Sequence, residues 1–216
     1  MILWLMDEKA NGIILRVRPL TDSSLIVHWL TREHGRLSTV AKGARRAKSP
    51  MRGKLDLLFE ADFSYRRSRQ SDLHALREVQ PLANHPNLRL DIKRLQLFAY
   101  ATRLIERATE PEHALPGIHA IFTTLLKHLE NNPARPALTY ALEIKTLNEL
   151  GLAPPLDDNL DKGTCLLMEQ MAVLNWDAII TLTPTREQAM TAGRFLGNFI
   201  QHHLEFIPKG RDQLLV

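Results

Sequence analysis

Apolar and polar side chains alternate through much of the N-terminal third of the chain, as they do in β-strands with one buried face. In the clearest segment, residues 54–65, every second side chain from Leu55 to Tyr65 is apolar, which predicts a half-buried strand. Four further strands are predicted at residues 12–20, 24–32, 35–43 and 72–82. Turns are predicted at 21–24 and 33–35. Five short strands separated by turn signals indicate a small Greek-key barrel.

After Pro86 the apolar period lengthens to that of a helix. Helices are predicted from about residue 90 to a stop before Pro111, at 117–130, at 137–150, and from Thr185 to a stop before Pro208. Thr185 and Gln188 fit a capping box, and Gly151 fits the residue that follows a helix end. The predicted fold is therefore α+β, with a β-barrel domain in residues 1–82 and an all-α helical domain in residues 83–216.

Positive charge is concentrated in the predicted barrel. The whole chain has 28 Lys and Arg against 24 Asp and Glu, but residues 1–80 hold 15 against 9 and residues 81–216 hold 13 against 15. Residues 34–54 contain seven basic residues and no acidic one. Such a block repels itself, so we expect a polyanion to neutralise it, although a solvated surface with scattered charges is the plainer alternative.

Several classes of protein are disfavoured. The apolar runs are shorter than the roughly 18 residues of a membrane helix, and the N-terminus lacks the basic region of a signal peptide. The single cysteine, Cys165, can form neither an internal disulfide nor a cysteine zinc site. We therefore expect a bacterial-type cytoplasmic protein with no membrane contact.

The sequence also offers little for catalysis. The nine histidines form no H-E-x-x-H motif, and there is no G-x-x-x-x-G-K-[ST] loop for nucleotide phosphates. Asp157, Asp158 and Asp161 could bind Mg²⁺, but a solvated loop or a helix N-terminus is favoured. Cys165 is interpreted as a small buried apolar residue and His28 as a half-buried strand residue. We expect no enzyme activity, cofactor or metal.

Two sets of motifs resemble those of the bacterial RecO recombination-mediator and DNA-repair family. Thr31, Glu33, Gly35 and Arg36 match its T-x-E-x-G-R hairpin, and residues 40–45, VAKGAR, match the segment that follows. Residues 142–158 are similar to the family's helix ending in L-G-Y-x-P-x-L-D. Residues 197–215 are similar to its final helix and K-S-R tail.

The resemblance implies an OB-fold followed by a helical domain. It implies binding of single- and double-stranded DNA, annealing, and recombinase loading on strands covered by single-strand-binding protein, in the bacterial nucleoid. The implied partners are RecR and the acidic C-terminal tail of the single-strand-binding protein. Many members carry a four-cysteine zinc site where this chain has only Cys165, so that site is ruled out and the local fold of residues 156–175 is left open.

The residues expected to contact DNA are basic residues of the predicted barrel, since phosphate neutralisation releases counterions. They are Arg16, Arg18, Arg36, Lys42, Arg45, Arg46, Lys48, Arg52, Lys54, Arg66 and Arg67, with Arg69 as an extension. The basic loop is expected to be flexible. Trp29, Phe59, Phe63 and Tyr65 are assigned to the core, and Trp4 is equally compatible with a DNA contact.

An acidic peptide ending in Phe would fit a groove between residues 95–107 and 124–130, with Arg103, Arg107 and Lys127 at its rim. Ordinary helix packing is the favoured interpretation of the same pattern. Two other functions stay open. The chain could be an RNA-binding OB-fold protein in translation or ribosome assembly, or an interaction scaffold whose basic loop is merely solvated.

Overall fold

The computed structural model describes residues 7–156 and 160–215, whose contacts divide the chain into two compact units. The first unit comprises Met1–His85 and Thr109–His119, and the second comprises Pro86–Ala108 and Ala120–Val216. The first break lies close to the predicted boundary after residue 82. No sequence pattern had indicated that Thr109–His119 belongs with the N-terminal unit.

A closed barrel of five strands forms the first unit. Its strands are β1 (Glu8–Pro19), β2 (Leu25–Thr31), β3 (Gly35–Ala41), β4 (Glu60–Arg66) and β5 (Leu73–Ala83), arranged in the order β1-β2-β3-β5-β4. The pairing of β3 with β5 is parallel, and the other four pairings are antiparallel. This is the five-stranded Greek-key arrangement of an OB-fold, so the predicted barrel is confirmed.

Aromatic side chains fill the barrel. The rings of Trp29 and Phe63 are stacked with centroids 4.1 Å apart, and Trp29 Nε1 donates to Thr39 Oγ1 at 2.9 Å. Trp29, Phe63 and Tyr65 are buried, whereas Phe59 is partly buried and packs against the same cluster. Their predicted place in the core is confirmed. Trp4 lies outside the described residues.

The fourth strand begins later than predicted. The alternation from Leu55 is interrupted by a turn, in which Asp56 Oδ1 accepts from the Leu57 N–H at 2.7 Å and Asp56 O accepts from the Phe59 N–H at 3.2 Å. Leu58 has a φ of 65° and is buried, while Leu57 is 40% exposed. The prediction of a strand was wrong for residues 55–59. The turn places Leu58 in the core and exposes Leu57, whereas the alternation had predicted the opposite.

The second unit is helical. Its helices are α1 (Ile92–Ala108), α2 (Pro116–Asn131), α3 (Pro136–Glu149), α4 (Lys162–Val173), α5 (Trp176–Ile179), α6 (Arg186–Leu204) and α7 (Arg211–Leu214), after a 3₁₀ turn at Pro86–Leu90. The four long helices that were predicted are α1, α2, α3 and α6. Thr185 and Gln188 form the predicted capping box, and Gly151 has the expected positive φ of 72°. Within the described ranges, no helix is long and apolar enough to cross a membrane.

Helix α4 occupies most of the segment whose fold the sequence left open. Asp161 is its N-cap: Oδ1 accepts from the Thr164 N–H at 2.9 Å, and Oδ2 accepts from Thr164 Oγ1 at 2.6 Å. These hydrogen bonds from Thr164 lower the pKa of Asp161. Asp161 therefore caps a helix. Asp157 and Asp158 fall outside the described residues.

A buried ion pair ties four helices of this unit together. Arg211 donates through Nε and Nη2 to the two carboxylate oxygens of Glu143 at 2.8 and 2.9 Å, and through Nη2 to Gly193 O at 2.9 Å. The Tyr100 hydroxyl also donates to Glu143. Burial and the neighbouring Glu143 raise the pKa of Tyr100, so its hydroxyl keeps the proton that it donates.

Replacing Arg211 with Met should lower the free energy of unfolding by about 3–5 kcal/mol, because the variant leaves the Glu143 carboxylate buried without its cation. Urea denaturation followed by circular dichroism measures the loss. Arg194→Met, at an exposed site of α6, is the control. Adding Glu143→Leu to Arg211→Met should recover part of the lost stability, because the buried carboxylate is then removed as well. Equal stability of Arg211→Met and Arg194→Met would contradict this account.

The β2–β3 turn is covered by the segment Thr109–His119. Gly35 has a φ of 63°, and a Cβ built on it would overlap the carbonyl of His113. The next residue, Arg36, pairs with Pro111 in an isolated bridge, and its carbonyl accepts from the Glu112 N–H at 2.9 Å. A glycine is therefore required here by both the backbone angle and the close approach.

Gly35→Ala should destabilise the protein more than Gly53→Ala does. Both glycines have positive φ, 63° and 75°, so both variants incur a backbone cost on the order of 1 kcal/mol. A Cβ on Gly53 meets nothing within 4 Å, and this makes it a matched control. Thermal unfolding of the two variants tests the difference, and equal midpoints would show that the His113 contact is unimportant.

Candidate nucleic-acid interface

The basic loop, residues 42–54, is a series of turns folded onto the barrel. Backbone N–H groups of residues 44, 46, 49, 52 and 54 each donate to the carbonyl three residues earlier. Ala44 is buried in the barrel core, and Met51 packs against it. The loop was expected to be flexible, but the structure shows successive hydrogen-bonded turns with apolar anchors.

The loop presents its charges to solvent. Its cations are Lys42, Arg45, Arg46, Lys48, Arg52 and Lys54, all exposed except the half-buried Lys54. Arg45 Nη1 donates to Thr21 O at 3.2 Å and Arg52 Nη1 to Ala47 O at 3.3 Å, so these two bind neutral acceptors. None of the six forms a salt bridge with a carboxylate of the described chain. Their charge is therefore available to a polyanion.

Two adjoining cavities lie beside this loop. The first, here called the turn pocket, has a volume of about 390 Å³ and is lined by Leu20, Thr21, Ser23, Ser24, Val40, Lys42, Gly43 and Arg46. The second has a volume of about 540 Å³ and adds the β4–β5 turn, with Arg66, Arg67 and Arg69. Leu20, Val40 and Lys42 line both. We call the two together the basic groove, and none of the described residues that line it is acidic.

The position of the basic groove is the one at which OB-folds bind oligonucleotides. It lies between the β1–β2 turn, the C-terminal end of β3 and the β4–β5 turn. In OB-folds the face of strands 2 and 3 and these two turns form the ligand site. The sequence-predicted cations Lys42, Arg46, Arg66 and Arg67 are thus brought together in one groove.

Arg16 and Arg18 lie on the outer face of the same strands. Arg18 pairs with Ile26, which pairs with Val40 of the groove, and residues paired across strands share a face. Arg16 pairs with His28, whose Nδ1 lies 2.9 Å from Ser38 Oγ. Burial, and then the charges of Arg18 and Arg16, lower the pKa of His28. The imidazole is therefore neutral at neutral pH and adds no positive charge.

Three of the predicted DNA-binding residues, Arg36, Arg66 and Arg67, are engaged with the protein itself. Arg36 Nε donates to Thr109 Oγ1 at 2.9 Å. Arg66 Nε lies 2.9 Å from Asp7 Oδ1, and Arg67 forms ion pairs with Glu8, at 3.0 Å, and with Glu112. These acceptors are distant in sequence, so no local pattern could have revealed them. The ion pairs of Arg66 and Arg67 reduce the positive charge that the β4–β5 turn offers to a ligand.

Glu112 is held in a sparsely populated backbone conformation. Its φ is 57°, and such strain at a non-glycine residue often marks a functional position. Its carboxylate binds Arg67, and its Oε1 lies 3.0 Å from Nε2 of the buried His74. Both Arg67 and His74 line the basic groove. Glu112 is therefore an internal anion at the edge of a cationic surface.

A third cavity, of about 920 Å³, has a balanced charge. Its cations are Lys9, Lys54 and Arg77, and its anions are Glu33, Asp62 and Glu78. Lys54 therefore lines this mixed cavity, although the sequence grouped it with the other cations of the loop. Of these three cavities, the two that form the basic groove have no acidic residue in their described lining.

The three basic residues of the predicted peptide site lie on α1 and α2. Phe98 of α1 and Phe122 of α2 meet edge to face with centroids 5.5 Å apart, so the two helices pack directly there. Arg103 Nη1 donates to Lys209 O at 2.8 Å, and the Arg107 guanidinium lies 5.4 Å from the centroid of Phe206. Lys127 is exposed on α2. The two arginines thus lie against the segment that follows α6.

Three further side chains could carry chemistry: the thiol of Cys165 and the adjacent imidazoles of His202 and His203. Cys165 is half-buried in α4, and His202 and His203 are exposed near the end of α6. In residues 7–156 and 160–215, no three His, Cys, Asp or Glu side chains are placed to hold a metal ion. The site that stands out in the described chain is the basic groove.

Comparison with known proteins agrees with this geometry. The family model described as "Recombination protein O N terminal" matches residues 6–85, and "Recombination protein O C terminal" matches residues 89–163. The chain belongs to the RecO family. The resemblance in the hairpin and basic loop is thereby confirmed, and the two matches follow the order of barrel and helices.

Curated relatives in the RecO family are named "DNA repair protein RecO". The protein from Listeria monocytogenes (strain CLIP80459) is 29% identical over 150 residues, covering 69% of this chain and 58% of that protein. Those from Bacillus pumilus and Bacillus subtilis are each 27% identical, covering 72% and 70% of this chain and 60% and 59% of theirs. The alignments thus span less than two thirds of the relatives' length. The printed names describe repair and name no catalysed reaction.

Proposed function

We propose that this RecO-family chain acts in DNA repair and homologous recombination as a non-enzymatic protein that binds single- and double-stranded DNA and anneals complementary strands. The observation that carries the proposal is the basic groove at the OB-fold ligand face, whose loop cations have no carboxylate partner in the described chain. The relatives' printed names support the repair role.

Annealing on this surface would be an electrostatic process. Two strands repel each other through their phosphates, and cations that neutralise both allow them to approach within pairing distance. Base stacking and pairing then supply the free energy, so no nucleotide hydrolysis is needed. The backbone of the basic loop is fixed by turns, so the protein loses little backbone conformational entropy when a strand binds.

The groove would bind the backbone and leave the bases accessible. Its described lining contains no Phe, Trp or Tyr, whereas proteins that hold single strands tightly stack bases on such rings. The aromatic residues of the barrel are instead packed in the core. Bases that are not stacked on the protein are available to pair with a second strand.

The same proposal includes recombinase loading on strands covered by single-strand-binding protein, with RecR and that protein's acidic tail as partners, in the bacterial nucleoid. Arg103, Arg107 and Lys127 are the residues proposed for the tail. In support, Arg107 already stacks on an aromatic ring, that of Phe206, so this basic surface is compatible with a peptide ending in Phe.

The triple variant Arg45→Ala/Arg46→Ala/Lys48→Ala should bind a single-stranded oligonucleotide more weakly and with a shallower salt dependence. Each lost phosphate contact reduces the slope of log K against log[salt] by about 0.7, so three lost contacts reduce it by about 2. Fluorescence anisotropy at several salt concentrations measures both quantities. Annealing of complementary oligonucleotides without nucleotide should slow in parallel.

Lys162→Ala/Arg186→Ala/Arg194→Ala is the control, because it removes the same charge from exposed sites of the helical unit. If both triple variants behave alike, net charge rather than the loop is responsible. Competition between DNA and RNA strands of the same sequence separates the alternatives. A clear preference for RNA would favour a role in translation or ribosome assembly and reject the proposal.

Glu112→Gln should strengthen binding several-fold and steepen the salt dependence by up to about one contact, because Arg67 would lose one of its two anionic partners. Glu110→Gln is the matched control, since Glu110 is exposed in the same segment and the charge change is identical. Anisotropy titrations compare the two variants. Equal effects of Glu112→Gln and Glu110→Gln would show that Glu112 does not restrain Arg67.

A further inference from the structure

The turn pocket has the donors of an oxyanion site on two of its walls. One wall is the β1–β2 turn, with the hydroxyl groups of Thr21, Ser23 and Ser24, and the other is the start of the basic loop, with Lys42 and Arg46. A tetrahedral phosphate has several acceptor oxygens and is bound well by a mixture of hydroxyl and cationic donors. In the part of the chain that the structure describes, no carboxylate lines the pocket to compete for these donors.

The hydroxyl groups on the turn are oriented by bonds that leave their protons available. Thr21 Oγ1 accepts from the N–H groups of Ser23 and Ser24 at 3.3 and 3.1 Å. Ser24 Oγ accepts from the Gly43 N–H at 3.4 Å. A hydroxyl that accepts in this way still has one proton to donate. Among the described residues, no hydrogen bond uses the hydroxyl proton of Thr21, Ser23 or Ser24, so all three can serve a ligand.

A tight turn places the two cations around the pocket. Gly43 has a φ of 68°, and its carbonyl accepts from the Arg46 N–H at 3.0 Å. Arg45 N–H also donates to Ser23 O at 3.0 Å, which fastens the loop to the β1–β2 turn. The two walls are therefore held at a fixed separation by backbone hydrogen bonds, and binding requires little reorganisation.

The third wall is apolar and leads to the rest of the basic groove. Leu20, which is 46% exposed, and the half-buried Val40 separate the turn pocket from the β4–β5 turn. A deoxyribose has an apolar face that would pack on such side chains. The volume of about 390 Å³ is in the range of about 300–1,000 Å³ for small-ligand sites, so it accommodates a phosphate with its sugar.

We infer that the turn pocket is a defined subsite for one phosphate group of the bound strand, with the hydroxyl groups of Thr21, Ser23 and Ser24 and the cations Lys42 and Arg46 as its donors. This inference rests on the proposed function and goes beyond it, because it assigns one phosphate to hydrogen-bond donors as well as to charge. The phosphate is either a diester within the strand or a monoester at its end.

The test is the variant Ser23→Ala/Ser24→Ala, measured with a 15-nucleotide oligothymidine that has either a 5′-hydroxyl or a 5′-phosphate. We expect about ten-fold weaker binding with an unchanged salt slope, because the variant removes hydrogen bonds and no charge. Ser49→Ala, in the basic loop but outside the pocket lining, is the control. Thermal unfolding checks that the variant is folded. If loss of the Ser24 contact to Gly43 destabilises the loop, the single variant Ser23→Ala replaces the double variant in the binding assay.

An equal loss for both oligonucleotides assigns a diester to the subsite, and a loss confined to the 5′-phosphorylated one assigns a terminal monoester. If Ser23→Ala/Ser24→Ala binds both oligonucleotides as tightly as the unchanged protein and Ser49→Ala do, the subsite is overturned. The proposed function would survive that result, because its own tests, the triple loop variant and the competition between DNA and RNA, do not involve Ser23 or Ser24. The two failures are therefore distinguishable.

Discussion

The parallel pairing of β3 with β5 is the constraint on which the proposed binding surface depends. It joins Ser38, Thr39 and Val40 to Leu73, His74 and Ala75, and it closes the barrel. Because β3 ends beside the start of β5, the first residue of the basic loop, Lys42, is placed next to the turn that contains Arg66, Arg67 and Arg69. Without closure, these cations would belong to separate stretches of an open sheet.

Closure also determines which cations are available. Arg66 and Arg67 stand near the N-terminal strand and the segment Thr109–His119, where Asp7, Glu8 and Glu112 bind them. The described cations of the loop after β3 form no salt bridge with those carboxylates. One groove thus has a screened end and an unscreened end, although the sequence has similar basic runs in both. The difference arises from tertiary neighbours and not from local composition.

Much of the fold could be predicted from the sequence. The period of the apolar residues located the five strands and the four long helices, and the pair Thr185 and Gln188 located the start of α6. Prediction failed where a local hydrogen bond outweighed the pattern, as at Asp56 and Leu58. It left open α4, whose start depends on a capping contact between Asp161 and Thr164.

The candidate site could be predicted only in part. The cations of the basic loop are contiguous in sequence, so a charge count found them. The pairing of Arg67 with Glu112 spans 45 residues, and the role of Ser23 and Ser24 requires knowledge of where the β1–β2 turn lies in the barrel. Neither has a local signal. The same reason explains why Lys54 was grouped with the other loop cations, although it lines the cavity of mixed charge.

The membership of Thr109–His119 in the barrel unit makes that unit discontinuous along the chain. Helix α1 is inserted between two stretches of the same compact body. A fragment cut after His85 would therefore lack the strand bridge at Arg36 and the cover over Gly35. Gene fusions or domain exchanges that treat the OB-fold as a simple N-terminal module would transfer an incomplete one, with an altered charge at its ligand face.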